Sequence, residues 1–111
     1  MMAISTGEMQ TLSFSIILHA GNARSCAMEA ISLAKGYEFT AAREKLEEAE
    51  NEFVEAHKLQ TKLLQAEASG EKNEVTVILI HAQDHLMTSM TLKDLANEMI
   101  DMYEKIQSLE G

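Results

Sequence analysis

Proline is absent from this 111-residue chain, and only five residues are glycine. Because these two residue types interrupt helices more than any other, their scarcity in a chain rich in Ala, Leu, Met, Glu, Lys and Gln favours long helices. The apolar periodicity stops only near Gly36 and in the polar segment 68–73. We therefore predict an all-α, single-domain protein spanning 1–111, an antiparallel three-helix bundle with helices at about 6–35, 39–68 and 74–109.

Cysteine, basic residues and long apolar runs are scarce as well. The lone Cys26 excludes an internal disulfide and is expected to be an inert buried thiol, and the lack of a charged-then-apolar leader predicts a cytoplasmic protein. Gln83, Asp84 and His85 interrupt the longest apolar run before it reaches the roughly 18 residues of a membrane-spanning helix. Nine basic residues against 18 acidic ones give a net charge of −9, which argues against nucleic acid and anionic membranes as partners.

The first two helices carry narrow apolar stripes. Helix one begins with a capping box, Ser5 followed by Glu8, and Gly36 is expected at the C′ position that ends it. Gly21 does not break the periodicity, so we interpret it as a position of close approach within an unbroken helix. The stripes are mainly alanine, which predicts closely packed helices. Their members are Leu12, Ile16, Ala20, Ala23, Ala27, Ala30 and Ala34 in helix one, and Phe39, Ala42, Leu46, Ala49, Phe53, Ala56, Gln60 and Leu63 in helix two.

Helix three has two different halves. From Leu92 onward one apolar stripe is sufficient for packing, whereas from Val75 to Met90 apolar residues point in every direction around the axis. Two partner helices within one chain cannot cover such a segment, so we infer that this half is also buried between subunits. The stripe of the distal half consists of Leu95, Met99, Met102, Ile106 and Leu109, and the second face of the proximal half consists of Val77, Ile80, Asp84 and Met87.

The most informative motif, His81-Ala82-Gln83-Asp84-His85-Leu86-Met87, lies in this apolar half. On a helix, His81, Asp84 and His85 project within an arc of about 100°. Two imidazoles and a carboxylate among aliphatic residues carry a desolvation cost, so either partners satisfy them or chemistry uses them. A neutral imidazole nitrogen is nucleophilic toward a phosphoryl group and is a reactive donor once phosphorylated, so one histidine can receive and pass on phosphate.

The sequence resembles a known family at this motif and at three others: Ala20-Gly21-Asn22-Ala23-Arg24, Ala56-His57 followed by Gln60-Thr61, and Glu67 just before Gly70. The family is the lactose/cellobiose-specific enzyme IIA component of the bacterial phosphoenolpyruvate-dependent sugar phosphotransferase system, and the likeness spans almost the whole chain. The resemblance implies a homotrimer of three-helix subunits, assembled through helix three, in which His81 accepts the phosphoryl group. It also implies a divalent metal ion held by Asp84, one per trimer on the threefold axis. Six carboxylate oxygens would suit Mg²⁺.

The relay implied by the resemblance begins at the phosphohistidine of HPr and ends at a cysteine of the cognate enzyme IIB. It serves the uptake of a β-linked disaccharide or β-glucoside through the membrane enzyme IIC, so contact with the membrane is only indirect. A phosphate-binding loop of the type G-x-x-x-x-G-K-[ST] is absent, so no nucleotide is expected as the donor.

Three side chains are candidates to support His81, because no lysine or arginine stands between Asn73 and Leu92 to stabilise phosphoryl charge. His85 lies one turn further along the same face, and Gln83 points away from His81 and could act only in trans. The third candidate, His57, belongs to helix two.

Two other classes of function stay open. His81, Asp84 and His85, with His57 and a glutamate, could form a metal site inside one helical bundle. Alternatively, helix three could bind a partner helix without any chemistry at His81. Only the relay predicts an acid-labile, alkali-stable phosphoryl adduct that disappears in His81→Ala.

Overall fold

The computed structural model describes residues 4–70, 72 and 74–110. In this part of the chain there are three α-helices and no strand: α1 (Thr6–Lys35), α2 (Phe39–Ala68) and α3 (Val77–Glu110). The predicted all-α class and the bounds of the first two helices are confirmed. With extents of 60 × 20 × 19 Å, the molecule is a narrow bundle whose helices share one long axis.

The order of the ion pairs between helices fixes their directions. Rising residue numbers on α1 meet falling numbers on α2, and the same holds between α3 and α2. The helices therefore run up, down and up, so α2 is antiparallel to both others. The pairs are His19–Glu52 and Glu29–Lys45 between α1 and α2, and Glu50–Lys93 and Arg43–Asp101 between α2 and α3.

The two ends of α1 differ in how well they were predicted. At the start, the backbone N–H of Glu8 donates to Ser5 Oγ at 3.1 Å, which confirms the cap. At the end, Gly36 has φ −91°, and Tyr37 takes the left-handed conformation with φ 64°, so the prediction of Gly36 at C′ was wrong by one position. The N–H of Glu38 donates to the carbonyl of Leu33 at 2.9 Å, as in a Schellman motif, and this hydrogen bond helps to hold Tyr37 in its strained conformation.

The start of α3 also corrects the prediction. The helix begins at Val77 rather than near residue 74, and Asn73, the other start considered, lies outside the described residues. Thr76 is the cap: its Oγ1 accepts from the N–H of Leu79 at 3.1 Å, and its carbonyl accepts from the N–H of Ile80 at 3.1 Å.

The core follows the predicted stripes of α1 and α2. Every member of the α1 stripe is buried, and in α2 only Phe39, Leu46 and Gln60 are half-buried rather than buried. Alanine predominates among these residues, so the helices can approach closely. The third helix contributes Ala82, Leu86, Ser89, Ala96 and Ile100 to the buried set.

The distal half of α3 packs with a different face from the one predicted. Its expected stripe lies on the outside, with exposed fractions from 37% at Met99 to 78% at Leu109. Ala96, Ile100 and half-buried Tyr103 face inward instead. The reason is steric: Ile100 and Tyr103 fit against the alanine seam of α1 and α2, whereas the apolar pattern of the helix predicts burial of the bulkier face.

None of the helices, over the residues described, combines the length and apolar character needed to cross a bilayer.

Candidate functional site

A continuous exposed stripe runs along α3 on the side opposite the core. Its members recur every three or four residues, the spacing of one helix face. The apolar members are between 37% and 84% exposed, so the described part of a single chain does not cover them. We call this surface the α3 stripe; it consists of Val77, Ile80, Asp84, Met87, Thr91, Leu95, Met99, Met102, Ile106 and Leu109. The second face predicted for the proximal half is therefore exposed in a single chain, and the same face continues over the whole helix.

His81 lies on the flank of the α3 stripe, on the side that leads to α1. Its side chain is exposed, and no hydrogen bond from any described residue holds its ring. The ring is parallel to that of His85, with a centroid separation of 6.0 Å and an interplanar angle of 2°. This separation is within the range of offset-stacked aromatic pairs. A nucleophilic nitrogen at this position is accessible to another protein.

His85 connects His81 to α1. Its half-buried ring points toward Gly21, and a Cβ atom added to Gly21 would lie 3.5 Å from His85 Nε2. The interpretation of Gly21 as a point of close approach in an unbroken helix is confirmed, because α1 continues through it to Lys35. The sequence pattern did not reveal that the approaching group is the imidazole of His85.

Gln83 points away from His81, as the helical geometry predicted. Its side-chain carbonyl accepts a hydrogen bond from Gln60 Nε2 on α2 at 2.7 Å, and the pair is partly buried. Sequence reasoning had placed Gln60 in the core seam of α2 without a partner. A polar residue at a seam position was the signal that could have identified this pair.

His57 stays apart from His81 within one chain. It is half-buried on α2 and lines a shallow depression with Val54, Lys58 and Thr61 among its neighbours. No hydrogen bond, ion pair or ring contact of the described residues joins it to His81. The structure therefore brings together His81 and His85, but not His57 or Gln83.

Asp84 is the charged member of the α3 stripe. Its side chain is exposed, and no cation of the described residues pairs with it. Within the same residues, no group of three or more His, Cys, Asp or Glu side chains is arranged to hold a metal ion. The metal centre considered inside one bundle, built on His81, Asp84 and His85, is therefore not formed by the described part of one chain.

Cys26 lies on α1 and faces α2. It is half-buried rather than buried, and its Sγ lies 3.6 Å from Glu48 Oε2. Burial raises the pKa of the Cys26 thiol, and the neighbouring Glu48 carboxylate raises it further. The thiol is therefore protonated at neutral pH, which agrees with its predicted lack of reactivity.

Comparison with known proteins gives a consistent result. Residues 11–104 match the family model for the lactose/cellobiose-specific IIA subunit of the PTS (phosphotransferase) system. The chain is 54% identical to the lichenan-specific phosphotransferase enzyme IIA component of Bacillus subtilis over 104 residues, which are 94% of each chain. It is 39% identical over 101 residues to the N,N'-diacetylchitobiose-specific EIIA component of Escherichia coli K12, covering 91% of this chain and 87% of that one.

Solved structures show the same similarity. The crystal structure of the cellobiose-specific enzyme IIA from Bacillus anthracis has a TM-score of 0.88 and 49% identity, covering 97% of this chain and 95% of that one. The IIA(Chitobiose)–HPr complex of E. coli contains a chain with a TM-score of 0.79 and 38% identity, covering 90% of this chain and 97% of that one.

Proposed function

This chain belongs to the lactose/cellobiose-specific IIA family of the phosphotransferase system, and we propose that it relays a phosphoryl group through His81. The donor is the phosphohistidine of HPr and the acceptor is a cysteine of the cognate enzyme IIB. The observation that carries the proposal is the exposed ring of His81 beside an exposed apolar surface, in a chain of a family that works in phosphoryl transfer. The E. coli relative that was solved together with HPr supports HPr as the donor.

The chemistry requires two displacements at phosphorus. In the first, an unprotonated ring nitrogen of His81 attacks the phosphoryl group on HPr; the new N–P bond forms as the old one breaks, and its electron pair returns to the HPr ring. In the second, the thiolate of enzyme IIB attacks, and the pair of the breaking N–P bond returns to His81. Because each transfer needs in-line approach, an exposed nitrogen on a rigid helix suits this role.

The α3 stripe supports a homotrimer. In a monomer, its apolar members would expose a continuous apolar surface to water along the 34 residues of α3. Three parallel copies of α3 would bury the stripe in the manner of a coiled coil, since its members recur at heptad-like spacing. His81 would then lie at the rim between protomers, where dry apolar side chains border the reacting nitrogen.

Asp84 fits a metal ion only across protomers. Its exposed, unpaired carboxylate stands in the stripe between Ile80 and Met87, so three copies would meet near a threefold axis. Three like charges in a buried setting repel one another, and six carboxylate oxygens suit the octahedral preference of Mg²⁺. We therefore assign Asp84 to a structural Mg²⁺ ion, whose double positive charge would offset most of the negative charge of the three carboxylates.

The relay places the protein in the cytoplasm, with the membrane reached only through enzyme IIC. Its substrate is a phosphoryl group on a partner protein, so the sugar itself does not touch this chain. His85 stays a candidate to orient His81, whereas Gln83 and His57 can support the reaction only from a neighbouring protomer.

The experiment is incubation of the protein with phosphoenolpyruvate, enzyme I and HPr, followed by intact mass measurement. We expect one acid-labile, alkali-stable phosphoryl group per chain in the wild type. The control variant His19→Asn should carry the same group, because His19 pairs with Glu52 of α2, on the side of α1 opposite to His85. His81→Ala should carry none. An adduct that survives in His81→Ala contradicts the assignment, and a wild type without adduct contradicts the relay.

A further inference from the structure

Gly21 on α1 faces the ring of His85, one of the two stacked histidines. It lies in the middle of a 30-residue helix, where glycine is less favourable than alanine. Its φ angle is helical, so its backbone conformation does not require glycine. The feature that distinguishes its surroundings is the His85 ring, whose Nε2 would be 3.5 Å from an added Cβ.

We propose that Gly21 is a positioning residue for phosphoryl transfer: by leaving space on α1, it seats the His85 ring, which in turn orients the ring of His81. This inference rests on the relay function proposed above. It adds a third helix position to the site, one that touches neither the phosphoryl group nor His81.

The argument begins with the freedom of His81. An exposed side chain without a hydrogen bond samples several rotamers, and in-line transfer uses only those that present one nitrogen to the partner. The parallel ring of His85, whose centroid lies 6.0 Å from that of His81, limits this sampling. An offset stack of this kind favours those rotamers of an exposed ring that keep the two rings parallel.

The second step concerns what holds His85. Its ring is half-buried and lies between α3 and α1, and no hydrogen bond from a described residue fixes either ring nitrogen. The position of the ring therefore depends on packing, and the surface against which Nε2 packs is the side of α1 at Gly21. A methyl group at this position would make ordinary contact with the ring, whereas a longer side chain would need the volume that the ring fills.

This difference defines a pair of variants with a matched control. In Gly21→Ala the ring keeps its place, so transfer from phosphorylated HPr should stay within about threefold of wild type. In Gly21→Leu the ring is displaced, and the transfer rate should fall by about tenfold or more. Gly7→Leu adds the same side chain to the same helix where nothing lies within 4 Å, so its rate should not change.

Two measurements distinguish a positioning role from simple damage. In a double-mutant cycle, Gly21→Leu should have no further effect on the rate in the background of His85→Ala, because it acts through that ring. In Gly21→Ala, the introduced methyl group should give a nuclear Overhauser effect to the His85 ring. This measurement does not require Gly21→Leu to fold. Additive effects in the cycle, an unchanged rate in Gly21→Leu, or a missing methyl-to-ring effect each overturn the inference. If His81 of the wild type takes no phosphate at all, the relay itself has failed.

Discussion

Ser13 offers the clearest quantitative test of the packing. Its hydroxyl on α1 is fully buried, and it has no hydrogen-bond partner among the described residues. A buried, unsatisfied polar group costs about 1–3 kcal/mol, and alanine is also a better helix former than serine by about 0.5 kcal/mol. We therefore expect Ser13→Ala to raise the free energy of unfolding by about 1.5 kcal/mol, even though it removes an atom from the core.

The matched control is Ser25→Ala on the same helix, where the serine is exposed and only helix propensity changes. For a chain of this length, 1 kcal/mol corresponds to a shift in melting temperature of about 4 °C. Thermal denaturation at equal protein concentration should therefore show a rise of about 6 °C for Ser13→Ala and about 2 °C for Ser25→Ala. Equal shifts in the two variants, or a loss of stability in Ser13→Ala, would refute the reasoning.

Three further predictions concern assembly, core and turn. In sedimentation experiments Asp84→Leu should keep a trimer or tighten it, because the substitution removes charge from an apolar interface. Asp84→Lys should give monomers, and a trimeric lysine variant contradicts the placement of Asp84 on the threefold axis. Leu86 is buried, so Leu86→Ala should lower the free energy of unfolding in denaturant by about 3 kcal/mol. Met87 is 51% exposed in one chain, so Met87→Ala should mainly weaken association between chains. A larger loss of unfolding free energy in Met87→Ala than in Leu86→Ala contradicts the packing. Gly70→Ala should lower the free energy of unfolding by about 1 kcal/mol, because the φ angle of Gly70 is +89°. Gly7→Ala should raise the free energy of unfolding by about 0.5 kcal/mol, because alanine stabilises α1. Equal melting temperatures of the two variants would contradict both statements.

The sequence predicted the helices well because the chain has a strong period. The alanine seams of α1 and α2 are regular over about six to seven turns each, so their inward faces could be derived from spacing, and the cap at Ser5 and the stop near Gly36 indicated where α1 begins and ends. Local hydrogen bonds were harder. Thr76 occupies the capping position at the start of α3, and Tyr37 occupies the one at the end of α1. Residues near each of them are of types that suit these capping positions equally well.

The rotation of α3 about its axis could not be predicted from the pattern. Both sides of its distal half are apolar, and the side with Leu95 and Met102 contains more hydrocarbon than the side with Ala96 and Ile100. The buried side is decided by the shape of the alanine seam opposite, which is a property of three helices together. For the same reason, the contact between His85 and Gly21 could not be predicted from the sequence, because it depends on the relative rotation of α1 and α3.

The most direct test of the central claim is to locate the phosphoryl group on the chain. The protein is produced with ¹⁵N in its histidine rings and is then phosphorylated by HPr, and the ring that acquires coupling to ³¹P is assigned by NMR. The account predicts coupling at His81 and at none of the other three histidines. Coupling at His85, His57 or His19, with His81 unmodified, would contradict it.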